Sequence, residues 1–381
     1  MASVLQSEPI SVGVLFSETG ITSVVEKTQR RAVSLAIDEI NANGVAGEFE
    51  LKPVFCDPAS DPKRYAAEAE RLIAQGVRFI FGCYMSSARR AVLPIVERAG
   101  ALLFYPTLYE GFEFSANCVY SGAAPNQNSL MLADYASEHF GGRHYFVGSN
   151  YVFPYESNRI MRDLLTARGC TVLEERYISL DPSADDVAHI VDEIDRLKPD
   201  AVFSTVVGEG AVRLYQQYAL QDQTRARSPI LSLTTGEPEV EEMGADAAEG
   251  HFTCAPYFSS LPGSANQRFV TAYRSVHGAH APLSACTEAA YFQVYLFAEA
   301  LRQGGPDHIL QNLPVVEFGA PQGRVRVDRS TQHTFLTPRI GRVNASGTFD
   351  VVYDHGIPVR PDPYTVEPEE SGWSRFVGSL R

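Results

Sequence analysis

Hydroxyl-bearing and aromatic residues recur at one kind of position in this sequence, directly after short apolar runs. After Phe81 comes Gly82-Cys83-Tyr84-Met85-Ser86, and after Phe104 comes Tyr105-Pro106-Thr107-Leu108-Tyr109. Gly148-Ser149-Asn150-Tyr151-Val152-Phe153 follows Val147, Gly208-Glu209-Gly210 follows Val207, and Thr234-Thr235-Gly236 follows Leu233. Tyr84, Tyr105, Tyr151 and Phe153 would form aromatic walls, and Ser86, Thr107, Thr234 and Thr235 would supply placed hydroxyls beside Pro106. That is the usual makeup of a small-molecule site. A hydroxyl either accepts from an N–H₂ or donates to an oxygen, so the expected ligand is small and polar. A helix opening right after Ser86 would add free N–H groups facing an acceptor oxygen. Taken singly, each aromatic reads equally well as core; their shared position carries the reading. Glu209 is the one acid in the series, able to accept from an amide N–H₂ or pair with a cation, or simply to sit solvated in its loop.

Catalytic chemistry finds no footing at these positions. Cys83 could be an amidase nucleophile only with a base in reach, and none of the nine histidines lies at a strand end of this series, so a buried thiol is expected. No G-x-S-x-G elbow, P-loop or G-x-G-x-x-G after the first strand occurs. Asp185-Asp186, and Glu239 with Glu241-Glu242, read as solvated helix starts rather than a metal site. The six cysteines, Cys56, Cys83, Cys118, Cys170, Cys254 and Cys286, contain no C-x-x-C pair, which predicts reduced, mostly buried thiols. A binding protein is expected, not an enzyme, with no cofactor and no metal.

The elements that must position these residues are strand-then-helix units. Ile10–Phe16 is a β-branched apolar run, and from Thr28 to Asn41 the apolar residues Ala32, Val33, Ala36, Ile37 and Ile40 recur at helical intervals. The pattern repeats through Leu51–Phe55 with Pro62–Gln75, Phe79–Gly82 with Ser87–Ala99, Leu102–Tyr105, Tyr145–Gly148 with Ser157–Arg168, Ala201–Thr205 with Gly210–Gln221, and Ile230–Leu233 with Glu237–Met243. Such alternation predicts an α/β fold, parallel sheets flanked by helices, with ligands taken beyond the carboxyl ends of the strands. The series beginning near Tyr145 repeats the first, so a boundary is placed around Gly122–Asn126. The apolar stripe of the late helix Ser284–Gln303 (Ala290, Tyr291, Val294, Phe297, Ala298, Leu301) suits the first lobe, so the chain is expected to cross between lobes more than once. This divides the chain into a first lobe of residues 8–122 plus about 255–325, a second of 123–254 plus about 326–365, and a tail of 366–381. Within the second lobe's return, Gly323–Val327, Phe335–Val343 and Gly347–Tyr353 read as hairpin-like strands.

Composition narrows the partners. In 381 residues, 32 Lys+Arg stand against 46 Asp+Glu, and the net charge of −14 disfavours direct binding to nucleic acid or anionic lipid. No run of about 18 apolar residues exists, so no membrane span is expected. The N-terminus lacks the cationic start and apolar stretch of a secretory signal, which predicts a cytoplasmic location, or a periplasmic one if a leader has been removed.

These residues also carry a family resemblance. Phe16-Ser-Glu-Thr-Gly20, Gly82-Cys-Tyr-Met-Ser86, Tyr105-Pro-Thr with Tyr109-Glu-Gly111, Ala124-Pro-Asn-Gln-Asn128, Ala255-Pro-Tyr-Phe-Ser259 and Ala320-Pro-Gln-Gly323 resemble the aliphatic amidase expression-regulating proteins, and the match runs over nearly the whole chain. That family comprises cytoplasmic amide sensors and negative regulators of an amidase operon. The sequence is similar, more loosely, to urea and short-chain-amide substrate-binding proteins of transport systems, which share the type I periplasmic binding fold. The resemblance implies a two-lobed Venus flytrap with an amide held at the interlobe cleft by Tyr84, Ser86, Tyr105, Thr107, Tyr151 and Thr234. It also implies an RNA-binding antiterminator as protein partner, which the acidic charge would suit; homo-oligomerisation is left open. Leu108 stands where the family shows proline and Phe153 where it shows tyrosine, so the acyl side of the pocket differs. Acetamide, with about four heavy atoms at a ceiling of ~1.5 kcal/mol each, would bind with roughly −6 kcal/mol, between millimolar and micromolar. The alternative function is an extracytoplasmic substrate-binding protein of an ABC transporter for urea or short-chain amides.

Overall fold

The computed structural model describes residues 8–221 and 228–364. A first sheet has the order β2-β1-β3-β4-β5, with β1 (Glu8–Leu15), β2 (Phe49–Cys56), β3 (Phe79–Gly82), β4 (Leu102–Tyr105) and β5 (Cys118–Tyr120), every pair parallel. A second sheet uses β6 (Arg143–Ser149), β7 (Thr171–Ile178), β8 (Ala201–Thr205), β9 (Ile230–Ser232), β10 (Phe252–Ala255), β13 (Arg339–Val343) and β14 (Phe349–Asp354), in the order β14-β13-β10-β9-β8-β6-β7. Its first five strands are parallel, and β13 and β14 add an antiparallel edge. A separate hairpin joins β11 (Glu317–Ala320) to β12 (Gly323–Arg326).

Helices cover both faces of the sheets. They are α1 (Ser23–Asn43), α2 (Pro62–Ala74), α3 (Ser86–Ala99), α4 (Ser129–His139), α5 (Val152–Ala167), α6 (Ala184–Leu197), α7 (Glu209–Ala219), α8 (Glu237–Met243), α9 (Ala245–Ala248), α10 (Ser264–His277), α11 (Ala285–Gly304) and α12 (Ile309–Asn312). With helices on both sides, a strand such as β3, Phe-Ile-Phe-Gly, is buried throughout, which is why these strands read as unbroken apolar runs rather than alternating ones. The acids Asp185 and Asp186 occupy the exposed first turn of α6, where Ser183 and Asp186 form a capping box. All six cysteines are buried and free.

The late helix α11 completes the first lobe's core, not the second's. The whole predicted stripe is buried, and Phe297 meets Phe81 and Phe104 edge-on at 5.5 Å. Three backbone spans therefore join the sheets, near residues 121–124, 255–258 and 327–338. The first and third run side by side: Tyr120 N–H donates to the Gln332 carbonyl at 2.9 Å and Thr334 N–H to the Tyr120 carbonyl at 3.0 Å. Gly122 is required by close approach, since a Cβ there would fall 2.1 Å from the Thr107 carbonyl.

A buried polar cluster ties these spans together. Glu288 of α11 accepts from the Gln322 backbone N–H at 3.2 Å and from its side-chain amide at 2.8 Å. Arg339 of β13 donates to the carbonyls of Gln322 and Pro256 and pairs with Asp354. Burial lifts the Glu288 carboxyl from 4.5 to about 8. The folded protein thus keeps a proton that the unfolded chain has released, and stability falls as pH climbs from about 4.5 through about 8. His333, buried and stacked on Tyr120 at 4.2 Å, is pushed the other way, down to about 4, so its contribution is lost as pH falls from 6.5 through that value. Glu288→Gln is expected to flatten the decline of Tm between about pH 5 and 8; identical slopes in calorimetric melts of the two proteins would contradict this assignment.

Candidate functional site: an interlobe cleft

The strand ends of the two lobes face each other, and the lobes are shut. Glu209 N–H donates to the Ile21 carbonyl at 3.2 Å, while Glu237 accepts from the backbone N–H groups of Ser259 at 3.0 Å and Leu283 at 3.3 Å. Near the mouth the Arg159 guanidinium lies over the Phe112 ring at 5.5 Å. Tyr151, from the second lobe, packs against the apolar cluster of the first that contains Tyr84 and Tyr105.

Between them lies a small cavity. Its walls come from the loop after β4 (Pro106, Leu108), the first crossing span (Ser121–Ala123), the loop after β9 (Leu233–Gly236), the second crossing span (Ala255–Phe258) and the start of α11 (Ser284–Cys286). None of these lining residues is Lys, Arg or His. The N-terminal turns of α4, capped by Asn128, and of α11, capped by Ser284, open onto it and bring the positive ends of their dipoles.

The candidates read from the sequence separate into three groups. Pro106, Thr234 and Thr235 line the cavity. Thr234 Oγ1 donates to the Val206 carbonyl at 3.0 Å, and Thr235 Oγ1 to Ser232 Oγ at 3.0 Å. The second group, Tyr84, Ser86, Tyr105, Thr107, Tyr151 and Phe153, does not line the cavity, and the hydroxyls of Ser86, Tyr105 and Thr107 are engaged inside the first lobe. Tyr105 Oη donates to the Tyr84 carbonyl at 2.7 Å, and Thr107 Oγ1 accepts from Gln29 Nε2 at 3.2 Å. Ser86, the first residue of α3, donates to Glu110 at 2.5 Å and accepts from Arg89 at 3.2 Å. Phe153 is buried on α5, its ring 6.2 Å from that of Tyr151. Glu209 stands apart. It is half-exposed at the start of α7, pairs with Arg213 at 3.4 Å, and does not line the cavity. What it supplies to the cleft is a backbone N–H between the lobes.

Cys83 is fully buried with φ +69°, its N–H donating to the Leu15 carbonyl as the chain turns from β3 toward α3. Burial pushes its thiol well above the ordinary value, so it is no thiolate nucleophile.

One expectation is overturned. Glu239 does not stand at a solvated helix start; it caps α8 from its third position but is buried against the cavity, which the start of α11 also lines. Its Oε2 accepts from Gly236 N–H at 2.9 Å, while Oε1 has no hydrogen-bond partner among the described residues. Burial raises the carboxyl to about 7, with no neighbouring cation among the causes. Its charge in turn helps raise the Tyr84 phenol, which places Tyr84 of the first lobe and Glu239 of the second within electrostatic reach. Glu237 is buried as well, but both of its oxygens are satisfied. Its spacing, an acid three residues after the N-cap glycine, marks a helix start and carries no sign of burial.

A family model described as a periplasmic binding protein domain matches residues 10–370. The chain belongs to the periplasmic binding protein family. Among solved structures, this binding protein is similar to an ABC-transporter solute-binding protein of Rhodopseudomonas palustris BisB5 in complex with 3,4-dihydroxybenzoic acid. The TM-score is 0.84 at 21% identity, with 94% of this chain and 99% of that one covered. It is also similar to a branched-chain amino acid transporter substrate-binding protein of Streptococcus pneumoniae in complex with isoleucine (TM-score 0.78, 18% identity, 93% and 100% covered). These likenesses establish the two-lobed α/β fold. Curated relatives match over shorter stretches. A leucine-, isoleucine-, valine-, threonine- and alanine-binding protein of Pseudomonas aeruginosa is 29% identical over 103 residues, 27% of this chain and 28% of that protein. A protein named limonene hydroxylase of Geobacillus stearothermophilus is 29% identical over 147 residues, 36% of this chain and 27% of that protein. The matched stretches thus span little more than a quarter of either relative. No helix among the described residues is long and apolar enough to cross a membrane.

Proposed function

We propose that the protein is the solute-binding component of a transport system, acting outside the cytoplasm and closing on a short-chain amide or urea. The observation that carries this reading is an interlobe cavity with no cationic side chain in its lining, where Thr234, Thr235 and the uncompensated carboxyl of Glu239 face Pro106, Tyr257 and Phe258. An amide supplies a carbonyl for the helix starts and an N–H₂ for the hydroxyls and the carboxyl. Closure then follows from differential affinity for the shut arrangement.

A second reading, an amide-responsive regulator in the cytoplasm working through an RNA-binding antiterminator, is favoured by the near chain-long match of motifs such as Gly82–Ser86 and Ala320–Gly323. Calorimetric titration with formamide, acetamide, butyramide, urea, guanidinium, leucine and benzoate tests the ligand class. Acetamide or urea should bind best, with Kd between millimolar and micromolar. Preference for leucine or benzoate would overturn it. The two readings part on the partner: an acetamide-sensitive complex with a basic RNA-binding protein, seen by size-exclusion chromatography, supports the regulator, and stimulated uptake through a membrane transporter supports the transport protein.

A further inference from the structure

The cavity contains one polar group whose hydrogen-bonding capacity is unfilled and whose charge is uncompensated. Glu239 is 1% exposed, and its Oε1 has no partner among the described residues, whereas Oε2 is held by Gly236 N–H. A buried carboxyl oxygen left in this condition costs free energy unless a donor reaches it. The hydroxyls beside it are spoken for, Thr234 donating to a backbone carbonyl and Thr235 to Ser232, so neither donates to the carboxyl. With no Lys, Arg or His in the lining, the missing donor must arrive with the ligand.

We infer that Glu239 is the specificity-determining residue of the cleft: its Oε1 accepts a hydrogen bond from a nitrogen of the ligand, selecting primary amides and ureas over carboxylates of the same shape. This rests on the amide reading above and adds the group that enforces it. A carboxylate ligand offers no donor and brings a second negative charge to a site whose only compensation is helix dipoles. An amide of equal size satisfies the orphaned oxygen with one N–H and leaves its carbonyl for the helix starts.

The groups facing Glu239 remain fixed near neutrality. Tyr84 of the first lobe, Tyr215 of α7 and Cys286 of α11 all lie above their ordinary values through burial and stay protonated. Glu237, on the same helix, is held by two backbone N–H groups. Glu237 is raised by burial as well, so proton exchange on ligand binding is assigned to Glu239 by its loss in Glu239→Gln.

The test is titration calorimetry on the full chain at pH 7 with acetamide and acetate, for the wild type and Glu239→Gln, in two buffers of different ionisation enthalpy. The wild type should prefer acetamide over acetate and release a fraction of a proton on binding it. Glu239→Gln should bind acetamide about 10–100-fold more weakly, lose the proton release and discriminate less against acetate. Acetamide affinity within twofold of wild type, in a variant whose melting temperature is retained, overturns the inference and leaves the amide reading intact. If Glu239→Gln fails to fold, Glu239→Asp takes its place: drawing the carboxylate back from the ligand should weaken acetamide binding by a similar factor, and affinity within twofold of wild type overturns the inference. A wild type that binds neither acetamide nor urea removes the amide reading, and the inference with it.

Discussion

Gly208→Ala should weaken ligand binding at least 10–100-fold and leave the unliganded protein open. Gly208 has φ +60° and ψ −141°, a conformation open to glycine and strained for any other residue. A Cβ at this position would also lie 2.3 Å from the Ile21 carbonyl oxygen, across the seam between the lobes. That carbonyl accepts from the next residue's N–H, so the alanine methyl would sit where the two halves meet. Separation of the lobes relieves the clash, whereas ligand-driven closure restores it. Only the clash differs between the open and closed arrangements, and each 1.4 kcal/mol of it is tenfold in affinity. Small-angle scattering should report a larger radius of gyration for the variant, and calorimetry the loss of affinity. Wild-type values in both experiments would show that this contact does not govern closure.

The second large effect is on stability. Arg89 is wholly buried, donates to Glu110 at 3.2 Å and Glu113 at 2.6 Å, and lies 4.8 Å from the ring centres of both Tyr105 and Tyr109. Arg89→Met removes the buried cation and leaves Glu110, itself 1% exposed, with only the Ser86 hydroxyl and the half-exposed Arg90 at 3.7 Å. Breaking one partner from a buried pair costs about 3–5 kcal/mol, which for lobes of this size lowers Tm by roughly 10 °C. The triple change Arg89→Met, Glu110→Gln, Glu113→Gln should recover much of the lost stability, since no stranded charge remains. A single variant melting within 2 °C of wild type, a threshold set at roughly the effect of 1 kcal/mol, would mean that the network contributes little.

How much of this was legible in the sequence follows from what each element is made of. Phe79–Gly82, Leu102–Tyr105 and Ala201–Thr205 are short apolar runs between helices, and their limits coincide with β3, β4 and β8. Missed was β7, Thr-Val-Leu-Glu-Glu-Arg-Tyr-Ile, an edge strand whose half-buried charged residues erase the apolar signal. β5, three residues long, and β10, four, are too short to show a period. Phe335–Val343 shortened to Arg339–Val343 because Thr334 and Leu336 form isolated bridges rather than a ladder. At the site, the rule that ligands lie beyond strand ends led to Thr234 and Thr235. Burial of Glu239 had no such trace, because it depends on α11 returning from residue 285 to line the same cavity. The same holds for Ser86 and Thr107: spacing placed their hydroxyls, but only the fold shows that Glu110 and Gln29 take them up.

The return of α11 to the first lobe has a consequence for synthesis on the ribosome. The strands Glu8–Leu15 and Phe79–Gly82 emerge early, yet the helix that seals one face of their sheet is encoded after residue 284. Until about three-quarters of the polypeptide has been made, that face is covered by α1 without α11 while the neighbouring sheet assembles its parallel strands. Contacts of such sequence separation form slowly and leave apolar surface exposed in the meantime. Neither half is a continuous stretch of polypeptide, so a simple truncation will not yield one alone, and a nascent chain stalled before residue 285 should be a client for chaperones.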